Sequence, residues 1–373
     1  MIMRNQLRYM PIFRVRQEES KVLKSFDFGN GVYPCLEIIK ELDRLPPKFK
    51  NPLKKPSKPK KEKTFEDVYL PLIEDIKAER VFVDLPVHLK PIRGMQKPSL
   101  HFLTKVVSKR EMRTEYIKKF IPFASKVIPV ISTYVEITGE QGSITLQEKE
   151  IRQHFKTIAF RTFFNTYTRD ISQIRDLVQD DDYIIMDWGE MELDSDDGDI
   201  RDITEDLNKL DCNVIIHRNP FPKGITMKGI DHGKIVEIID NSLLDKYSNF
   251  AGDCFSDYTG IKKDDISDGG TISPGFFYYD AVENIFYGYR YRNGFRILKE
   301  FETTIVPAVI ESDATKRMQI HSSDYLGNNN KGWSIIKNIS LGETGKNAGK
   351  FKRISMEHYL HCMKTKISNG DFD

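Results

Sequence analysis

Residues suited to acid–base, metal or anion chemistry recur at one place in this chain: the end of a short apolar run. Val214-Ile215-Ile216 leads into His217 and Arg218, and Tyr183-Ile184-Ile185-Met186 into Asp187. Val81-Phe82-Val83 leads into Asp84, Thr157-Ile158-Ala159-Phe160 into Arg161, and Tyr9-Met10-Pro11-Ile12-Phe13 into Arg14. Glu37 sits within Val32–Ile39, and Asp253, Asp257 and Tyr258 close a run beginning at Ala251. Carboxylates in such a set hold a divalent cation, arginines grip phosphate, and a histidine moves protons near neutral pH. The candidate catalytic residues are therefore Glu37, Asp84, Arg161, Asp187, His217 and Asp257. The candidate ligand-binding residues are Arg14, Arg218, Asp253, Tyr258 and Arg290. Each has a plainer reading beside this one. A strand-terminal aspartate often caps the next helix, and Arg161 can serve simply as counter-ion to Glu37 or Asp187.

The runs that end in these residues are strand-like, and eight are expected: 9–15, 32–39, 81–86, 127–132, 157–162, 183–188, 213–218 and 251–257. Helix-patterned segments separate most of them, which predicts a parallel sheet. Eight such units match the number that closes a TIM-type (β/α)8 barrel, whose chemistry gathers where the strands end. A doubly wound open sheet is the alternative, although no Gly-x-Gly-x-x-Gly follows the first strand. The barrel is expected over residues 1–260. Residues 261–373 are expected to form an α+β extension packed on it within the same globular unit, with aromatic strands at Phe276–Asp280 and Phe286–Tyr291. Helical pattern is expected over Thr64–Arg80, Phe102–Ser125 with a break near Pro122, 144–154, Arg169–Val178, Ile203–Leu210, Ile235–Asp245 and 350–363.

The 373 residues are 39% hydrophobic and 30% charged, with a net charge of +2, a balance that by itself calls for neither nucleic acid nor membrane. No run reaches the ~20 apolar residues of a membrane span, and no secretory core opens the chain, so a cytoplasmic protein is expected. Cys35, Cys212, Cys254 and Cys362 form no Cys-x-x-Cys pair and are read as reduced. Residues 46–63 are rich in proline and lysine, with eight lysines in 48–63. That stretch reads as a solvated loop, or as an arm for acidic partners such as nucleic acid. Asp194–Asp199 departs from a calcium loop in the placement of its glycine. His358 and His361, with His321, are arranged as metal ligands can be, though a helix surface accounts for them as well.

Several of these stretches resemble the beta family of bacterial and phage proteins. Tyr9-Met10-Pro11-Ile12-Phe13-Arg14, with Glu19 and Leu23 following, resembles that family's start, which carries Lys where this chain has Arg14 and Gly where it has Glu18. Pro34-Cys35-Leu36-Glu37-Ile38 is similar to its second strand. Arg161, Asp187, Asn219-Pro220-Phe221-Pro222, Asp257-Tyr258 and Arg290-Tyr291 fall where its later motifs fall. The resemblance implies an accessory protein of phages, mobile elements or defence loci and carries no established activity. Arginine at position 14 cannot shed its proton, which excludes lysine-type nucleophilic chemistry there.

Three functions follow as expectations. The first is recognition of a ligand or of a phage or host partner, through the polar rim, in antiviral defence or counter-defence. The second is a metal-dependent phosphodiesterase or nuclease. In it Glu37, Asp84, Asp187 and Asp257 hold Mg2+ or a similar ion, Arg161 and Arg218 grip phosphate, and His217 is the acid or base. The third is nucleic-acid binding through the lysine arm.

Overall fold

A computed structural model describes residues 7–41, 63–89, 91, 95–226, 229–261, 275–290, 298–322 and 324–371. The lysine arm (all but Lys63), Arg93, Tyr291 and Arg292 lie outside them.

Eight strands close a parallel barrel: β1 (Tyr9–Arg14), β2 (Cys35–Glu37), β3 (Val81–Asp84), β4 (Val127–Ser132), β5 (Ala159–Phe163), β6 (Tyr183–Asp187), β7 (Asn213–His217) and β8 (Cys254–Asp257). Each pairs in parallel with its neighbours in sequence, and β1 closes the ring between β2 and β8. This is the TIM-type architecture. Both faces of such strands are covered, so they read as unbroken apolar runs and not as alternating ones.

The two faces nevertheless separate by parity. Met10, Ile12, Cys35, Phe82, Val130, Ala159, Ile185, Ile215 and Cys254 fill the barrel. Phe13, Leu36, Val83, Ile131, Phe160, Ile184, Ile216 and Phe255 belong to the larger core shared with the helices. Helices α1 (Gln17–Ser25), α2 (Phe65–Asp75), α3 (Lys97–Ser108), α4 (Arg110–Lys118), α5 (Val135–Thr138), α6 (Ser143–Ile151), α7 (Tyr167–Ile174) and α8 (Gly198–Leu207) supply that layer. A Thr64–Asp67 capping box starts α2. The acidic stretch before α8 is a helix start: Asp197 accepts from the backbone N–H of Asp199 and Ile200.

Three helical expectations change. The helix expected over 64–80 ends at Asp75, and Lys77–Ala78 is a short strand. The helix over 102–125, expected to break near Pro122, does give way there to a short 3-10 turn, Ile121–Phe123, but it is also divided at Lys109 into two helices. The segment 235–245 is not helical throughout. Lys234–Ile235 forms a short strand, and Ser242–Asp245 forms a 3-10 turn after Asp240 accepts from the Ser242 N–H.

Beyond the barrel lie a hairpin, β9 (Gly275–Asp280) and β10 (Ile285–Arg290), and helices α9 (Val306–Ile310), α10 (Asp313–His321), α11 (Lys331–Ser340) and α12 (Ala348–Asn369). Lys234–Ile235 adds to the β10 edge. The α12 helix docks on β9 and α1, and its Tyr359 hydroxyl donates to barrel residue Asp257 at 2.5 Å. Gly260 permits that approach. Its φ is +64°, and a Cβ there would collide with the Tyr359 ring. Gly260→Ala is expected to cost about 2–4 kcal/mol, from left-handed strain plus overpacking. Thermal melting would register this as a clear drop in Tm, and an unchanged Tm would contradict the packing described. The three histidines of the extension do not meet at a metal. His358 is held between Asn330 and the Tyr279 carbonyl, His361 contacts the Asp324 carbonyl, and His321 stacks on Tyr325. Burial pushes His358 down to about 4, so it is neutral.

Candidate functional site at the carboxyl ends of the strands

One guanidinium joins three strands. Arg161, the third residue of β5, points into the barrel and is 1% exposed. Its Nη1 donates to Glu37 Oε1 at 3.0 Å and to Asp84 Oδ2 at 2.7 Å. Its Nε and Nη2 both reach Asp187 Oδ2, at 3.0 and 2.6 Å. Register explains the convergence. Arg14, Glu37 and Asp84 are direct neighbours across β1, β2 and β3, and Asp187 and His217 are neighbours across β6 and β7. All five share the inward parity of the apolar residues beneath them.

The carboxylates are engaged from other sides as well. Arg14 Nε and Nη2 donate to Glu37 Oε2, both at 3.1 Å, and the Tyr258 hydroxyl donates to Glu37 Oε1 at 2.8 Å. Asp84 Oδ1 accepts from Arg113 Nη2 at 3.0 Å. Arg113 enters from α4 and also binds the Leu85 and Val130 carbonyls and Gln147. Gln147 in turn donates to the Ser132 carbonyl. Asp187 Oδ1 accepts from the Gly189 N–H, and His217 Nε2 stands 3.9 Å from it. On its other side His217 Nδ1 is hydrogen-bonded to Ser256 Oγ at 3.0 Å. His88 Nε2 lies 3.5 Å from Glu37 Oε1.

Three arginines thus face three carboxylates. Burial disfavours the Arg161 charge, but the surrounding acidic groups, Asp187 foremost, hold it well above its usual range. Burial first, and Glu37 second, push the Tyr258 hydroxyl up, so it stays a hydrogen-bond donor. Glu37 is fully buried, and paired.

The structure therefore brings together Arg14, Glu37, Asp84, Arg161, Asp187, His217 and Tyr258. It does not bring in the rest. Asp257 has the outward parity and accepts from the hydroxyls of Tyr9 at 2.6 Å and Tyr359 at 2.5 Å, between barrel and α12. Arg218 also turns away from the barrel interior and binds the Met191 carbonyl and Asp240. Asp253 precedes β8, at the opposite end of the barrel, where it accepts from the Val214 N–H. Arg290 closes β10 of the hairpin, where its backbone meets His232 Nδ1. Sequence reasoning passed over His88, Arg113 and Ser256. For Ser256 there was a signal, since it stands two residues before Tyr258 and so shares its face. Arg113, on a helix, had none.

A divalent ion has one candidate position among the described residues. Glu37, Asp84 and His88 each offer a ligand atom, all within 4.8 Å of one another. The expected set of Glu37, Asp84, Asp187 and Asp257 is not what converges, because Asp257 faces outward. The Arg161 guanidinium already binds both carboxylates of the group, so an ion would enter against a fixed positive charge.

A TIM-type barrel with a buried, charge-balanced polar cluster at the carboxyl end is the class these features define. The chain belongs to the Beta protein family, whose family model matches residues 9–364. No curated protein and no solved structure matches it. Among the described residues no helix is long and apolar enough to cross a membrane.

Proposed function

We propose that the protein acts in phage–host conflict, in defence or counter-defence, by recognising a ligand or partner at the carboxyl end of its barrel. One observation carries this reading: Arg161 ties Glu37, Asp84 and Asp187 together through a single guanidinium. Carboxylates held by permanent cations are poorly placed to act as bases. A cross-linked polar cluster does, however, present groups at fixed positions, and that lowers the ordering cost of recognition. The phage setting rests on the likeness to accessory proteins of phages, mobile elements and defence loci.

The test is the plating efficiency of a phage panel on cells producing the wild-type chain or Arg14→Gln at equal, folded abundance. The wild-type chain is expected to change plating of at least one phage, and Arg14→Gln to abolish the change. If every phage plates alike, or if Arg14→Gln acts as wild type does, the reading is wrong.

A second reading, a metal-dependent phosphodiesterase, draws its support from the Glu37–Asp84–His88 group. It predicts that Mn2+ raises Tm in the wild-type chain and fails to do so in His88→Ala.

A further inference from the structure

The arginines and carboxylates of the cluster are all buried; Arg14, the most exposed, stands at 6%. A recognition site so enclosed has to open, and the segment beside it is built under strain. Tyr258 leaves the carboxyl end of β8, reaches past β1 and donates to Glu37 on β2. Its ring meets His217 edge-on at 5.1 Å, and Arg14 Cζ lies 5.7 Å from its centroid. Asp257, the preceding residue, faces the other way and is held by the Tyr359 hydroxyl of α12. Two left-handed residues follow, Thr259 with φ of 56° and Gly260 with φ of 64°. Glycine takes that conformation freely, but a β-branched threonine is strained in it. Such strain persists only where the surroundings impose it, and it gathers at clamps and switch regions. Here the Thr259 N–H donates to Asp257 Oδ1 and its hydroxyl to the Tyr258 carbonyl, while the Tyr359 ring lies against Gly260.

We propose that residues 257–260 form a latched closure: Tyr258 seals the charged cluster, and the C-terminal extension, through Tyr359, holds the seal shut. Asp257 and Tyr258 are adjacent and face opposite ways, so the turn cannot release one without moving the other. Freeing Asp257 from Tyr359 lets the turn relax out of its left-handed conformation and withdraws Tyr258 from Glu37 and Arg14. The proposal rests on the reading of this end of the barrel as a recognition site, and it adds what regulates access to that site.

Hydrogen exchange and hydroxyl-radical footprinting of the full chain, both read by mass spectrometry without any ligand, test it. Tyr359→Phe removes the latch hydroxyl and keeps the ring. It should speed amide exchange at 254–261 by about tenfold, the effect of losing one hydrogen bond to a buried carboxylate. It should also raise oxidation of the Tyr258 side chain and leave exchange in β6 and β7 unchanged. Tyr258→Phe loosens the other end of the turn and should speed the same exchange, which keeps the test open if Tyr359→Phe fails to fold. If exchange rises equally in every strand, the hydroxyl only stabilises the fold; if it rises nowhere, there is no latch. If it rises at 254–261 while Tyr258 stays unoxidised, the turn moves without uncovering the cluster. Each of these results overturns the closure. No ligand enters the measurements, so their failure leaves the recognition reading to the plating test.

Discussion

Arg161→Met is expected to lower stability by about 3–5 kcal/mol, the range for removing one partner of a buried ion pair. The loss has a specific origin. The guanidinium donates to Glu37, Asp84 and Asp187 at once, so its removal takes a charged partner from all three buried carboxylates. Arg161→Lys should recover only part of the loss. One ammonium cannot reproduce a fork that meets Asp187 on one edge while Nη1 spans Glu37 and Asp84. Adding Asp187→Leu to Arg161→Met should recover more, because one of the three buried carboxylates that lost the guanidinium is then gone. Urea denaturation midpoints of these variants decide the matter. If Arg161→Met is as stable as wild type, the cluster is not organised by this guanidinium.

The second large effect is a pH dependence located away from the cluster. Burial raises Asp257 from 3.8 to about 6, with the hydrogen bonds from Tyr359, Tyr9 and the backbone of Thr259 and Gly260 pulling the other way. The folded chain therefore holds this proton more tightly than the unfolded one. The stability Asp257 contributes is fully present below about pH 4 and is lost as pH rises to about 6, a change of about 3 kcal/mol. Asp257→Asn cannot titrate. The stability advantage of wild type over Asp257→Asn should shrink by that amount between those pH values and stay constant above them. A difference independent of pH would mean that the Asp257 carboxylate is ionised throughout. The neighbouring Tyr9 and Tyr359 hydroxyls are pushed far up by burial and stay protonated across this window.

The barrel was legible in the sequence because its strands are apolar on both faces and so stand out as short continuous runs between helical segments. The same property hid which residues share a face. In a half-exposed sheet polar residues mark the outside, but here both neighbours of a strand-end residue are buried, and a one-residue step reverses inside and outside. His217 and Arg218 are adjacent and point opposite ways, as do Asp257 and Tyr258. Asp253 failed for another reason. The last strand begins only at Cys254, after Ala251 adopts a φ of 64°, so the aspartate belongs to the turn that enters the strand. Arg113 completes the cluster from α4, and nothing local to its helix announces a partner 29 positions earlier in the chain. The segment at 235–245 looked helical because its apolar spacing suits a helix, but pairing of Lys234–Ile235 with the β10 edge prevailed over that local pattern.

The central claim is that the carboxyl end of the barrel binds a ligand through this cluster. Thermal-shift screening of phosphorylated and carboxylated metabolites against the wild-type chain and Arg14→Gln tests it most directly. At least one compound is expected to raise the wild-type Tm in a saturable way and to leave folded Arg14→Gln unmoved. A panel that shifts neither protein, or shifts both equally, would contradict the claim.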